Sequence, residues 1–415
     1  MSRGWRQQSK PRITPDEVKF AEFSGVVNTR SRKDTGLSAL VNATNVYVSD
    51  TKKVTRRDGY SIYRSGNVQS AYGCGDNLYI VDNGSLYRSR STTQNDLIAS
   101  GFTGSRYEWD DTNGDAYFAN GIEAGILRGD QLLPWRLTLP AVSSVAVVST
   151  RELPGTVLNV GKTYTNATFR VCATYETSDG RESAPSEIVE IVSSPLTSLL
   201  RVSVPTAYAR TNIYCTEADG TNFRLVATTT GTTVTFNPLV GGRELTTLHK
   251  SSLPAGVTHV AIARAVCFVA QYLPEQDVSV VWMSEPLAFH LWDEADGFFV
   301  VKGEVGLLLS NNGGLLVGTT DAVYQYNLDG ELKELCDYGV VPGSAGDTDA
   351  EGMAYFWTVR GICKAMPFEN LTENDVSMPA GLRVASKYVY VNGMQQFITV
   401  AQGGGDSFNA RRERQ

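Results

Sequence analysis

Short apolar or alternating runs recur along this chain, at residues 77–81, 115–119, 265–270, 314–319, 352–357 and 387–391. Each is long enough for one β-strand and too short for a helix, because strands need roughly four to eight residues and helices ten or more. Three are followed, after a tight turn, by a second run of small, apolar and Tyr residues, at 84–88, 322–326 and 360–364. Ten Asn-Gly or Asp-Gly dipeptides punctuate the pattern, at 58–59, 83–84, 113–114, 120–121, 179–180, 219–220, 296–297, 312–313, 329–330 and 392–393. Such pairs favour hairpin turns, since type I′ geometry needs positive φ at both central residues and these residues supply it at little cost.

A strand-turn-strand unit of this kind buries its faces only by stacking on its neighbours, in a β-propeller or a large sandwich, and the all-β chain is read here as a β-propeller. The units form two groups, and an inserted module separates them. Within the insert, alternating strands are expected at 169–175, 188–192, 200–204, 211–215, 223–227 and 233–236, matching a fibronectin- or Ig-like β-sandwich in size and rhythm. The expected organisation is therefore a basic N-terminal arm with first strands at 1–60, a first propeller part at 61–153, the sandwich at 154–250, a second propeller part at 251–402 and a flexible tail at 403–415. Helix start signals are confined to short pieces at 14–18 and 285–289.

Composition agrees with that class. Of 415 residues, 42% are hydrophobic and 20% charged, with 39 Gly and 19 Tyr, a balance suited to turns and strands. No run approaches the roughly 20 apolar residues that span a bilayer, and no apolar leader with a cleavage site follows the N-terminal basic residues. Membrane insertion and secretion by a signal peptide are not expected. The six cysteines stand singly, which predicts buried free thiols rather than disulfides or zinc ligands. The net charge of −7 conceals an asymmetry: residues 1–64 hold 13 Lys/Arg against 6 Asp/Glu, which leaves −14 for the remainder. A basic arm over an acidic body suits docking on an acidic neighbouring subunit or contact with nucleic-acid phosphate; a solvated arm is the plain alternative.

Candidate chemistry is sparse. The chain has three histidines, His249, His259 and His290, and none sits in a nucleophile-base motif. There is no phosphate-binding Gly-rich loop and no dinucleotide fingerprint, and no catalytic, cofactor or metal site is expected. Two acidic clusters adjoin tryptophans, Glu108, Asp110 and Asp111 beside Trp109, and Asp293, Glu294 and Asp296 beside Trp292. Paired carboxylates with an aromatic platform would fit a glycan-binding or glycan-cleaving propeller used for host adsorption, the alternative function. The reading with packing tryptophans and turn-forming acids competes with it. Arg128-Gly129-Asp130 reads as a turn.

Several segments resemble tail proteins of double-stranded DNA bacteriophages: residues 23–28, 40–48 and 54–60 at the start, Gly180-Arg181-Glu182-Ser183-Ala184-Pro185-Ser186 with Ile213-Tyr214-Cys215-Thr216 in the insert, and 284–289, 317–324 and 339–344 later. Cys215 stands where that pattern usually has Arg. The resemblance implies a structural, non-enzymatic virion protein: the tail nozzle, or packaged-DNA stabilisation protein, of a short-tailed phage. It implies a homo-oligomeric ring, a hexamer, below the portal and adaptor proteins, carrying tail fibres or spikes and touching genomic DNA without sequence preference. Such a protein is made in the host cytoplasm and resides in the virion tail. Subunit contacts are expected from the arm, through Arg3, Trp5, Arg6, Arg12, Arg30, Arg32, Lys33, Arg56 and Arg57. An acidic lumen would let DNA slide while the basic arm clamps a neighbour.

Overall fold

The computed structural model describes residues 61–103, 105–149, 166–193, 198–205, 209–238, 241–327, 329–374, 383–391 and 394–402, with N-terminal pieces at 23, 25–29, 38–40, 46–48 and 52–56. The described residues are all-β. Near the N-terminus, β1 (Gly25–Val26) pairs in parallel with β2 (Ala39–Leu40), and β3 (Val46–Val48) pairs with β4 (Val54–Arg56). Blade A is the meander β5 (Val68–Cys74), β6 (Asn77–Asp82), β7 (Ser85–Ser89) and β8 (Asn95–Ser100). Blade B follows as β9 (Glu108–Thr112), β10 (Asp115–Ala119), β11 (Ala124–Arg128) and β12 (Gln131–Pro134).

The chain then leaves the propeller for a sandwich of two sheets. One has the order β13 (Ser144–Ser149), β16 (Ser198–Ser203), β19 (Thr233–Phe236). The other has the order β15 (Val189–Ser193), β14 (Ala167–Glu176), β17 (Arg210–Thr216), β18 (Phe223–Thr229). Inward residues of both, including Phe169, Val171, Leu200, Val202, Ile213 and Phe236, share one core, as alternation along half-buried strands requires. The sandwich begins earlier than the expected boundary at 154, because Ser144–Ser149 pairs with β16 and Val145 packs in that core.

The propeller resumes with blade C, β20 (Val257–Ala263), β21 (Val266–Leu273) and β22 (Val278–Glu285), where β22 pairs with both β23 (Ala288–Trp292) and β24 (Phe298–Lys302). Blade D is β25 (Val305–Asn311), β26 (Gly314–Thr319), β27 (Val323–Asn327) and β28 (Leu332–Cys336). After the short β29 (Gly343–Ser344) comes blade E, β30 (Gly346–Thr348), β31 (Ala354–Thr358), β32 (Gly361–Lys364) and β33 (Glu369–Asn370). The last hairpin, β34 (Arg383–Val391) and β35 (Met394–Gln402), joins β29 through a parallel pairing with β34.

The stacking explains the apolar runs. On β10, Ala116 and Phe118 point into a core shared with blade A, while Tyr117 and Ala119 point into one shared with blade C. On β21, Cys267 and Val269 face blade B, and Phe268 and Ala270 face blade D. On β26, Leu315 and Val317 face blade C, whereas Leu316 joins the core with blade E. A strand covered on both faces has no polar side to alternate with, so it reads as a continuous apolar run. The B/C core holds the fully buried Trp135 and Trp292, each the kind of side chain whose burial is worth about 3 kcal/mol. The Trp135 indole N–H donates to the Phe289 carbonyl at 2.7 Å.

Turn chemistry follows the sequence in part. At 83–84 and 113–114 both residues take positive φ, as type I′ turns demand. At 120–121 and 179–180 the glycine alone does so, at 219–220 the aspartate alone, and at 296–297 and 312–313 neither, while Gly330 of 329–330 is positive; 58–59 and 392–393 lie outside the described residues. The helix signal at 285–289 is overturned: Pro286-Leu287 is the tight turn between β22 and β23, with Leu287 at φ 60°. A proline preset for a turn wins over a short helix that has no second turn to propagate into. The signal at 14–18 and the tail at 403–415 fall outside the described residues. All six cysteines are free, five of them buried.

Candidate functional site

The first strands of blades B, C and D converge on a pocket of about 480 Å3. Arg106 and Glu108 enter it from blade B, His259 from blade C, Glu304 and Gly306 from the start of blade D, and Gly343 and Arg383 from the chain crossing that leads to β34. Arg106 pairs with Glu108 at 2.8 Å. The backbone at Gly343 has φ 122°, and a Cβ there would meet the Val384 carbonyl and the Arg106 guanidinium; glycine is what lets this crossing pass so close to β34. His259 is held neutral, its pKa lowered by burial, and its Nδ1 is 2.9 Å from the Thr258 hydroxyl.

Asp110 lies next along β9. Its carboxylate accepts the backbone N–H of Ile262 at 2.6 Å and that of Asp111 at 2.8 Å. The residue is half-buried, and desolvation pushes its pKa up to about 7 despite those two donors. Asp111 instead accepts the Tyr72 hydroxyl at 2.7 Å, and on β34 Lys387 pairs with Asp347 at 3.0 Å. These charges are used up in positioning strands. Mixed, paired and partly neutral, the lining gives the pocket no single sign of charge.

The tryptophans do not offer sugar platforms. Trp109 stacks on Tyr72 at 5.6 Å, lies 5.0 Å from Phe118 and donates to the Ser70 hydroxyl at 2.7 Å, while Trp292 has no exposed surface. Asp293 accepts Lys250 at 2.9 Å and the N–H groups of Ala295 and Asp296, and its pKa is lowered chiefly by Lys250. It organises a turn. Arg128 forks both oxygens of Asp115, and Gly129-Asp130 forms the turn read from the sequence. Among the described residues no group of three or more His, Cys, Asp or Glu is placed to hold a metal ion, and no helix is long and apolar enough to cross a membrane.

Of the expected arm contacts, Arg3, Trp5, Arg6, Arg12, Arg30, Arg32, Lys33 and Arg57 lie outside the described residues. Arg56 is exposed on β4. The Thr29 hydroxyl donates to the Asn374 carbonyl at 2.6 Å, which ties this part of the N-terminal region to the segment after blade E.

The junction between sandwich and propeller is built from residues that sequence reasoning singled out only as a motif. The Glu182 carboxylate accepts from Thr174, from Asn212 at 3.0 Å, from Tyr214 at 2.9 Å and from Arg243 at 2.9 Å. The hydroxyls of Ser183 and Ser186 accept the N–H groups of Tyr175 and Ala173. Arg181 donates to the Pro134 carbonyl on β12 at 2.8 Å, and the His290 imidazole reaches the Glu182 carbonyl at 3.1 Å. Burial, then the nearby Arg181 charge, lowers the His290 pKa to about 4. A polar cluster beside an Asp-Gly turn was the available signal; its target across the junction is set by tertiary packing.

Fold and junction together define an all-β, β-propeller-like protein interrupted by a fibronectin/Ig-like sandwich. No protein-family model and no curated protein matches the chain. Among solved structures it is similar to a proposed 6-phosphogluconolactonase from Bacteroides uniformis, at 10% identity and TM-score 0.34, covering 84% of this chain and 92% of that one. It is also similar to hydrazine synthase of Kuenenia stuttgartiensis, at 8% identity and TM-score 0.34, covering 82% and 96%. A third likeness, to the extracellular domain of a proposed one-component system of B. thetaiotaomicron, has 9% identity and TM-score 0.30; it covers 77% of this chain and spans only 36% of that one. None of these bears on what the chain does.

Proposed function

We propose that this chain is a structural subunit of a short-tailed bacteriophage tail, a nozzle that assembles as a hexameric ring below the portal and adaptor. There it retains packaged DNA and conducts it during ejection. The observation that supports the reading is the use the fold makes of the resembling motifs. Residues 180–186 lock the sandwich to blade B, residues 317–324 form the β26–β27 turn of blade D with Val317 and Val323 packed into the cores on either side, and residues 339–344 cross beside the central pocket toward β34. These are the positions where a construction part needs rigidity. The charge split adds to the reading, since a body of −14 repels DNA phosphate while the basic arm suits an acidic neighbour. Closed rings use heterologous contacts, which an arm reaching the next subunit can supply. Portal-adaptor proteins, tail fibres or spikes, and genomic DNA held without sequence preference are the partners.

The test is to mix the purified full chain with the portal-adaptor complex of its own phage and follow mass by light scattering and shape by cryo-electron microscopy. A ring on the connector, together with DNA loss from particles lacking the chain, is expected. A chain that stays monomeric beside the connector, with particles that keep their DNA without it, overturns the proposal.

A further inference from the structure

A second, more open cleft of about 600 Å3 lies between blade E and the last hairpin, lined among others by Leu371, Thr372, Tyr388, Tyr390, Gln395 and Phe397. The β34–β35 register sets Tyr388 opposite Phe397 and Tyr390 opposite Gln395, so all four side chains leave the same face of the hairpin. The inner part is fixed: Tyr355 of blade E stacks on Tyr388 at 5.2 Å and 25°, and lies 6.0 Å from Phe397. The Tyr388 hydroxyl donates to the Gln395 side-chain oxygen at 2.8 Å, which leaves the Gln395 amide nitrogen as a donor at the edge.

Next along the strand, Tyr390 is 72% exposed. So large a ring left open to solvent at the rim of a cleft presents apolar area to a ligand. Among the described residues no ionised side chain lines the cleft, which suits a neutral ligand. Aromatic face, amide donor and hydroxyls side by side match a pyranose, which has an apolar C–H face and a rim of hydroxyls. A proline-rich peptide would use the rings but offers only carbonyl acceptors to the rim, whereas a sugar hydroxyl can also donate to the Tyr388 oxygen, whose own proton is spent on Gln395.

We propose that this cleft is a carbohydrate subsite that takes a neutral hexopyranose unit, the sugar face on Tyr390 and its edge hydroxyls on Gln395 and the Tyr388 hydroxyl. The site is distinct from the two tryptophan clusters and does not depend on the ring reading.

The experiment is saturation-transfer NMR on the full chain with maltoheptaose, cellohexaose and mannohexaose, alongside a proline decamer. At least one hexose oligomer is expected to bind, with affinity falling about tenfold or more in Tyr390→Ala and surviving in Tyr390→Trp, since about 1.4 kcal/mol of lost stacking corresponds to a factor of ten. Both variants should keep the parent's circular dichroism and melting temperature. Absence of transfer to every hexose oligomer, binding unchanged by Tyr390→Ala, or binding of the proline decamer alone overturns the proposal. Ring assembly scored on the same Tyr390→Ala sample reads the two proposals separately.

Discussion

The carboxylate of Asp110 accepts the backbone N–H of Ile262 at 2.6 Å, which joins the first strand of blade B to the first strand of blade C. Burial pushes its pKa from 3.8 up to about 7. Between those values the unfolded chain gives up the proton while the folded chain keeps it, so this group makes stability fall as pH rises from about 4 to 7. Asp110→Asn removes the titration and retains an acceptor. The melting-temperature difference between variant and parent should shift in favour of the variant from pH 5 to pH 8; a difference independent of pH would refute the assignment.

His290 works in the opposite sense. Its pKa is lowered from 6.5 to about 4, so its contribution is complete above about pH 6.5 and is lost as pH falls toward 4. In the parent the two groups partly cancel across the same window. His290→Gln should be less sensitive to acid than the parent, measured by melting temperature at pH 7 and pH 4.5, and an unchanged acid sensitivity would contradict this account.

Arg181 links the modules through the Pro134 carbonyl and pairs with Asp179 at 2.8 Å. Arg181→Ala should cost about 1–2 kcal/mol. More tellingly, calorimetry should show the sandwich and propeller transitions moving apart. A single, merely shifted transition would mean the modules are coupled elsewhere.

Glu182 gathers four side-chain donors. Glu182→Ala strands them together and should lower urea stability by about 3 kcal/mol, with Glu182→Gln recovering part of it. Equal losses in both variants would point to packing rather than hydrogen bonding.

Gly339 has no room for a side chain, because a Cβ there would sit 2.0 Å from the Thr320 carbonyl oxygen. The backbone oxygen belongs to the turn between β26 and β27 and cannot swing away as a side chain could. Gly339→Ala should lose more than about 3 kcal/mol and drop soluble yield, whereas Gly330→Ala, with open space around the site but positive φ, should cost about 1 kcal/mol. Comparable stability in the two variants would refute the close approach.

Much of the fold was written along the chain. Strands of four to eight residues, Asn-Gly turns at 83–84 and 113–114, and apolar runs at 115–119, 265–270 and 314–319 follow from local backbone preferences and from burial on both faces. The sandwich was legible for the same reason, except that Ser144–Ser149 was counted with the propeller. Nothing local distinguishes a strand that pairs with its neighbour from one that pairs with residues more than fifty positions later.

Tertiary structure alone decided the rest. Of the two tryptophans that look like sugar platforms beside acids, Trp292 became core and Trp109 half-buried packing, because each finds aromatic or apolar partners from distant strands. Glu182, Asp110 and His290 acquired their roles from donors and carbonyls contributed by other sheets. The tyrosine cleft exists only because hairpin register puts Tyr390 beside Gln395 while blade E supplies Tyr355. Periodicity records which residues seek burial; long-range packing determines what they are buried against, and therefore which charges are neutral and which rings stay open.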